Sequence, residues 1–222
     1  MICNQLPAPL VVVSGSDGSG KTTLIASLAE GLRGQGLRVE VASLWDLYAA
    51  PELPRIFPGR DDAQRYLAAV GPLSRVHFFM HCLHGALERA SRRSGVDLLL
   101  FDAYWYKYVA AELCYGLEPA DVLPALRSFP VPAAILELDA PVEVTAARKR
   151  SFSLYESGLQ GTSRADFVAF QTKLRPALRA LVRRQPCPLV TLDAARPTTA
   201  SLMTALRVIA GLGFERHAAR AS

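Results

Sequence analysis

Residues 11–23 read Val11-Val12-Val13-Ser14-Gly15-Ser16-Asp17-Gly18-Ser19-Gly20-Lys21-Thr22-Thr23. The stretch carries the pattern G-x-x-x-x-G-K-T directly after an apolar run and directly before a helical pattern, which is the context of a phosphate-binding loop (P-loop). Its glycines let the backbone curl so that successive N–H groups point into one concavity. The helix that begins near Lys21 adds the positive end of its dipole there. The stretch therefore predicts a strand, a polyphosphate-binding loop and a helix.

The chemistry of the loop assigns individual roles to its side chains. Lys21 can reach the β- and γ-phosphates of a nucleoside triphosphate, and the hydroxyl of Thr22 can coordinate Mg²⁺. The alternative is a chance glycine-rich turn, for which spacing, strand, helix and the Lys-Thr pair would all have to coincide. We expect contacts to the bound nucleoside triphosphate from Gly15, Ser16, Gly18, Ser19, Gly20, Lys21, Thr22 and Thr23.

Short apolar runs recur along the chain and alternate with helical patterns. After residues 10–14, they lie at 96–101, 133–138 and 189–192, and residues 38–44 show the alternating pattern of a further strand. Such alternation predicts an α/β fold with a parallel five-stranded sheet covered by helices on both faces. We expect a single domain over residues 1–222, with a small lid at about 148–164. Ligands of such folds lie at the carboxyl ends of the strands, where the loop and Asp102 are found.

Composition excludes several classes of protein. Half of the 222 residues are hydrophobic, which suffices for a sizeable core, but no apolar run has the roughly 18 residues of a membrane span. The N-terminus lacks the pattern of a secretory signal, and the four cysteines are scattered, so we expect a cytoplasmic protein with reduced thiols. Residues 148–184 hold nine basic and two acidic side chains. This basic segment suits a polyphosphate ligand, and nucleic-acid binding is the alternative that we do not favour.

Four aspartates in the loop or after strands are candidates for chemistry. Asp102 can hold Mg²⁺ opposite the Thr22 hydroxyl, or it can cap a helix. Asp139 and Asp193 are expected to cap the helices that follow them. Asp17 lies inside the loop, where an acid faces incoming phosphate; it makes sense there if it accepts a hydrogen bond from an acceptor hydroxyl, and a turn-forming role is the alternative.

The loop resembles that of the thymidylate kinases, in which G-x-D-G-x-G-K-[ST]-T is usual. Further stretches resemble motifs of that family and occur in the same order along the chain. They are the apolar strand and the residues after it at 98–112, Leu-Glu-Leu-Asp-Ala-Pro at 136–141, a basic lid with the helix after it, and Leu-Asp-Ala at 192–194. The resemblance spans nearly the whole chain. It implies a P-loop kinase fold, ATP with Mg²⁺ as the donor, transfer of the γ-phosphoryl group to a deoxynucleoside monophosphate with dTMP as the default, and a homodimer.

The resemblance also implies which residues form the site. Because Gly18 follows the loop aspartate, the family pattern supplies a catalytic arginine from the lid, and the candidates are Arg148, Arg150 and Arg164. Ala194 would lie beside the adenine. Lys21 and Asp17 complete the catalytic set. Candidates for the acceptor pocket, some of which core packing would equally explain, are Asp17, Arg75, Phe79, His84, Asp102, Tyr104 and Tyr106.

Acceptor-side motifs depart from the family pattern, whereas donor-side motifs keep it. Ala103 stands where the family has an arginine that grips the acceptor phosphate, and Leu-Trp-Asp-Leu at 44–47 stands where Arg-Glu-Pro-Gly is usual. Alanine cannot replace a bidentate guanidinium. Two alternatives therefore stay open: a kinase of the same fold that acts on a nucleoside or another small hydroxyl compound, and a nucleotide-binding module without turnover.

Overall fold

A computed structural model describes residues 6–48, 50 and 57–213. Its centre is a five-stranded, all-parallel sheet in the order β2-β3-β1-β4-β5. The strands are β1 (Leu10–Gly15), β2 (Val39–Ser43), β3 (Leu98–Asp102), β4 (Ala134–Asp139) and β5 (Leu189–Asp193). This architecture confirms the α/β fold that the alternating apolar runs predicted.

Helices cover the sheet and connect its strands. They are α1 (Lys21–Gly34), α2 (Trp45–Tyr48), α3 (Arg60–Ala69), α4 (Pro72–Ser91), α5 (Trp105–Cys114), α6 (Leu123–Leu126), α7 (Val142–Arg148), α8 (Arg164–Arg183) and α9 (Thr198–Gly211). Within the described residues, none of these helices is long and apolar enough to cross a membrane.

Two local patterns in the sequence can be compared with the structure. The prolines and glycine at 51, 54, 58 and 59 predict a loop over residues 46–60, but α2 includes its first three residues, and residues 49 and 51–56 lie outside the described part of the chain. Proline removes a helical hydrogen bond, so the sequence predicts a kink or a break at Pro176, and the structure shows no break because α8 continues through it. Pro176 is exposed, so water can satisfy the freed carbonyl, while the apolar face of the helix packs against the core through Phe167, Phe170, Leu174, Leu178 and Val182.

The central strand β1 fixes the position of the loop. All six of its residues are buried. Val11 and Val13 pack on the side of α1 and α9, whereas Val12 packs on the side of α4, α5 and α8. The parallel register pairs Val13 with Asp102 and Gly15 with Leu138. The loop therefore leaves the sheet beside the carboxyl end of β3, as expected for a ligand site in this fold.

A buried ion pair joins α4 to α5 on the face of the sheet opposite α1. Arg75 Nε donates to both carboxylate oxygens of Glu112, at 3.0 and 2.9 Å, and its Nη1 donates to the carbonyl oxygens of Leu67 and Val70. The Tyr155 hydroxyl donates to Glu112 Oε1 at 2.8 Å. Burial raises the pKa of Glu112 to about 7, although Tyr155 and Arg75 oppose that rise. The pair thus holds two helices and the 155–157 turn together.

We expect the effects of replacing Arg75 and Glu112 on the free energy of unfolding to be strongly non-additive. Arg75→Met or Glu112→Leu alone should lower the free energy of unfolding by about 3–5 kcal/mol, because each leaves a buried group without its partner. The double variant should lose clearly less than the sum of the two single losses. Denaturant unfolding measures all three variants, with Arg38→Met as a control that breaks an ion pair whose arginine is largely exposed. Additive losses would contradict a coupled pair.

Candidate active site

The loop between β1 and α1 has a conformation that only glycine tolerates at its key positions. Gly15 and Gly18 have φ values of +147° and +78°. A Cβ atom at Gly15 would lie 2.6 Å from the carbonyl oxygen of Leu138, and one at Gly18 would lie 2.7 Å from that of Thr145. The loop is therefore clamped between β4 and α7, with its curl set by residues that lack a side chain.

Lys21 lies over the loop at the start of α1. Its side chain is buried, and its Nζ donates to the carbonyl oxygens of Gly15 at 3.0 Å and Ser16 at 2.7 Å. Burial lowers the pKa of Lys21 to about 8, helped by the neighbouring charge of Lys107 and opposed by Asp17 and Asp102. An ammonium held by two neutral carbonyls can exchange them for phosphate oxygens, which bind it more strongly.

Thr22 and Asp102 meet where the sequence predicted a magnesium site. The Thr22 hydroxyl donates to Asp102 Oδ2 at 3.2 Å, across the first turn of α1 and the end of β3. A hydroxyl and a carboxylate are oxygen ligands of the kind that Mg²⁺ prefers, and neighbouring ligands of an octahedral magnesium lie about 2.9 Å apart. The two side chains fit the ion in chemistry and in spacing.

Asp17 forms an ion pair with Lys107, a contact that the sequence did not predict. Lys107 Nζ lies 2.5 Å from Asp17 Oδ1, and the two side chains are 14% and 21% exposed. Burial would raise the pKa of Asp17, but the charges of Lys107 and Lys21 outweigh it and lower that pKa to about 2. Burial likewise opposes the charge of Lys107, but Asp17 outweighs it and raises the pKa of Lys107. Both groups are therefore ionised at neutral pH.

Two clefts open on the loop. One, of about 610 Å³, is lined by the loop, the ends of β2 and β3, the first turn of α5 and the start of the lid. The other, of about 360 Å³, lies between the loop and the β5–α9 connection and includes Ala194. The two share Gly20, Thr23 and Arg148. A nucleotide whose phosphates lie on the loop can therefore reach Ala194 at one end and Asp102 at the other.

The lid contributes two cations, of which one was predicted. Arg148 Nη2 donates to the carbonyl oxygen of Ala194 at 2.7 Å and lines both clefts. Lys149 lines the larger cleft and pairs with Glu156 at 2.9 Å. Arg150 and Arg164 are exposed and are not among the residues that line either cleft. The structure thus brings position 148 to the loop but leaves the other two predicted arginines outside.

The predicted aromatic residues of the acceptor pocket lie in the core instead. Tyr104 and Tyr106 are fully buried, and the Tyr104 hydroxyl donates to the carbonyl oxygen of Pro130 at 3.0 Å. Phe79 is also buried and stacks behind Tyr108, with ring centroids 4.7 Å apart. Tyr108 lines the cleft, whereas these three residues do not. The structure therefore places Tyr104, Tyr106 and Phe79 in the core, which is the alternative that the sequence left open for them.

Arg75 and His84 are likewise committed to structural contacts. Arg75 forms the buried pair with Glu112 described above. His84 stacks on Phe129 with centroids 4.1 Å apart, and its Nε2 lies 2.9 Å from the Ser128 hydroxyl. Neither residue lines the cleft. In the described part of the chain, no group of three or more His, Cys, Asp or Glu side chains could hold a metal ion, so the histidines of α4 form no such site.

Asp139 also differs from its expected capping role. Its carboxylate accepts from Arg175 Nε at 2.8 Å and from Arg175 Nη2 at 3.0 Å, which ties the end of β4 to α8. Asp193 accepts from the Ala195 amide at 3.0 Å and so shapes the turn before α9.

Sequence reasoning missed Ser43, Trp45 and Lys149 as residues of the larger cleft. It offered Lys107 and Tyr108 only as members of the aromatic stretch at 104–108, which could stack a base and offer hydroxyl or ammonium contacts, with core packing as the alternative. The clearer signal for Lys107 is its place in the first turn of the helix that follows β3, at the carboxyl edge of the sheet where ligands of this fold bind. Lys149 had only its place in the basic lid to mark it. For Ser43 and Trp45, the signal is their position directly after β2.

Comparison with known proteins agrees with these features. No family model matches the chain. It is 25% identical over 142 residues to a probable thymidylate kinase of Saccharolobus solfataricus, a match that covers 63% of this chain and 69% of that protein. A deoxyadenosine kinase from M. mycoides, solved with bound dATP, has a similar fold, with a TM-score of 0.60 and 11% identity over 90% of this chain and 98% of that one. The first match supports a likeness in sequence, and the second shows the fold.

Because Lys21 titrates near neutral pH, we expect the affinity for a nucleoside triphosphate to depend on pH. With a pKa of about 8, its ammonium loses its proton as the pH rises from 7 to 9. A bound triphosphate favours the charged form, so the affinity for MgATP should fall by about ten-fold over that range. Calorimetric titrations at a series of pH values measure this affinity. Lys21→Arg, which stays charged, is the control and should give a flat profile; an equally flat profile for the unaltered chain would contradict the expectation.

Proposed function

We propose that this chain, which is similar in sequence to a probable thymidylate kinase and in fold to a deoxyadenosine kinase, transfers the γ-phosphoryl group of ATP to a nucleoside monophosphate, with dTMP as the default acceptor. The observation that carries the proposal is the charge arrangement of the larger cleft. Four cationic side chains, Lys21, Lys107, Arg148 and Lys149, line it together with Asp17 and Asp102. Such a cleft suits two phosphate groups brought together.

The donor side follows from the loop. The loop amides and Lys21 would bind the β- and γ-phosphates, and Arg148 would lie beside the nucleotide where the two clefts join. Thr22 and Asp102 would hold Mg²⁺, which would supply positive charge to offset the charge that develops on the phosphates. Lys149, which extends from the lid into the cleft, would offset charge on the group in transfer.

The acceptor side favours a nucleophile that is already anionic. In the transfer, an acceptor oxygen forms a bond to the γ-phosphorus, while the bond to the β–γ bridging oxygen breaks and ADP leaves with its electron pair. A hydroxyl acceptor must lose a proton, whereas a phosphate oxygen need not. Asp17, with a pKa of about 2 and its charge paired with Lys107, is a weak base, and Asp102 faces Thr22. Among the described cleft residues, these are the two carboxylates.

A nucleoside acceptor is the second candidate, and Ala103 favours it. This residue lines the cleft directly after Asp102, and its methyl group cannot hydrogen-bond to an acceptor phosphate.

The homodimer implied by the family resemblance also stays a prediction.

A panel of acceptors tests the proposal. We expect MgATP to be converted to ADP in the presence of dTMP or another nucleoside monophosphate, and more slowly with thymidine or deoxyadenosine. Lys21→Ala should lower kcat/KM by at least about 100-fold, because the ammonium stabilises charge in the transition state. Lys173→Met is the matched control, since Lys173 lies exposed on α8. Turnover with nucleosides alone would select the second candidate, and no turnover with either class would refute both.

Removal of the Thr22 hydroxyl tests the magnesium ligands separately. Thr22→Val keeps the shape of the side chain but loses the oxygen that faces Asp102. The concentration of Mg²⁺ needed for half-maximal activity at fixed ATP should rise by about ten-fold, whereas Thr22→Ser should restore it. An unchanged magnesium requirement in Thr22→Val would show that this hydroxyl is not a ligand.

A further inference from the structure

The acceptor end of the cleft lacks an arginine at the position where the family resemblance places one. Ala103 is 3% exposed and has a φ of +56°, in the left-handed region that a side chain occupies at some cost. Its amide donates to the carbonyl oxygen of Val13 at 3.0 Å, so the backbone here is fixed to β1. An anionic acceptor therefore needs a cation from another position.

Lys107 provides a cation at this place. It lies in the first turn of α5, four residues after Ala103, and both residues line the larger cleft. The chain has four lysines, and three of them, Lys21, Lys107 and Lys149, line this cleft. Lys21 belongs to the loop and Lys149 to the lid, so Lys107 is the lysine that reaches the cleft from the β3–α5 side, where Ala103 lies.

The ion pair with Asp17 fixes the ammonium of Lys107 without saturating it. An ammonium has three N–H donors, and the short contact to Asp17 Oδ1 uses one of them. The remaining donors can bind phosphate oxygens while Asp17 stays in place. Lys107 and Asp17 are partly buried, so both charges lose part of their solvation by water, which destabilises the fold. In return, the ammonium is already ordered beside the phosphate loop, so less conformational entropy is lost when the acceptor binds.

We infer that Lys107 binds the phosphate of the acceptor monophosphate in place of an arginine at position 103, with Asp17 as the residue that positions its ammonium. The inference rests on the proposed function, since it assumes an acceptor with a phosphate group. It makes Lys107 a specificity-determining residue: it favours a monophosphate over the corresponding nucleoside. A lysine acts as a point charge, so a guanidinium of similar reach should largely substitute for it.

The test compares two ligands that differ only in the phosphate. The affinities of dTMP and thymidine are measured by calorimetry with Mg²⁺ and an unreactive ATP analogue, for the unaltered chain, Lys107→Met, Lys107→Arg and Lys173→Met. We expect Lys107→Met to weaken dTMP binding by about 10- to 100-fold, the loss of one charge-assisted hydrogen bond, and to change thymidine binding by less than about two-fold. Lys107→Arg should keep the preference for dTMP, and Lys173→Met should match the unaltered chain.

A purely structural role of the pair gives a different result. If Lys107 only shapes the loop through Asp17, Lys107→Met weakens dTMP and thymidine by the same factor, and the inference is overturned. An unchanged affinity for dTMP also overturns it, as does an unaltered chain that binds thymidine but no dTMP. Thermal unfolding of each variant shows whether the fold is kept, and Lys107→Arg retains the charge if Lys107→Met does not fold.

Turnover measured on the same samples separates this inference from the proposed function. Binding of dTMP that depends on Lys107, without conversion of ATP to ADP, would refute the kinase reaction but leave the phosphate site intact. Conversion of dTMP with the same KM in Lys107→Met as in the unaltered chain would refute the phosphate site but leave the reaction intact.

Discussion

The site depends on the close fit of the glycines of the phosphate-binding loop between β4 and α7. The carbonyl oxygens of Leu138 and Thr145 lie only 2.6 and 2.7 Å from where Cβ atoms of Gly15 and Gly18 would be. The clamp fixes the direction in which α1 leaves the sheet, and with it Lys21 and Thr22. Because β1 pairs with β3 in parallel register, the same clamp sets the 3.2 Å contact between Thr22 and Asp102. Backbone geometry thus determines the donor side before any ligand is bound.

Charge in the larger cleft is arranged so that each carboxylate has a defined neighbour. Asp102 accepts a hydrogen bond from the Thr22 hydroxyl, and the charge of Lys107 helps to lower the pKa of Asp17, which makes Asp17 a weak base. Lys21 is held by neutral carbonyls, and burial brings its pKa close to the physiological range. The cleft is therefore better suited to binding and orienting anions than to removing protons. That balance is what phosphoryl transfer between two phosphorylated compounds requires, since its catalysis consists mainly of positioning and charge stabilisation.

The arrangement of the loop with Lys21, Thr22 and Asp102 could be predicted from sequence because its signals are local. Apolar runs predict the strands, and the fixed spacing of glycines and lysine predicts the loop. The position of Asp102 directly after an apolar run places it at the end of a strand. The acceptor side could not be predicted in the same way. Helix α5 is buried on nearly every side, so its hydrophobic pattern has no polar face that would show which residues line the cleft. Tyr104 and Tyr106 therefore looked equivalent to Tyr108, although Tyr108 alone of these three lines the cleft described here.

Arg75 and Lys107 show why a cation near a predicted pocket is hard to interpret from sequence. Each is paired with a carboxylate far along the chain, Glu112 in one case and Asp17 in the other. Arg75 is almost fully enclosed and also satisfies backbone carbonyls, so its donors serve the fold. Lys107 keeps part of its surface in the cleft, and its partner is a residue of the phosphate loop. The position of the partner carboxylate, which only the tertiary fold reveals, separates a structural ion pair from one that can also bind a substrate phosphate.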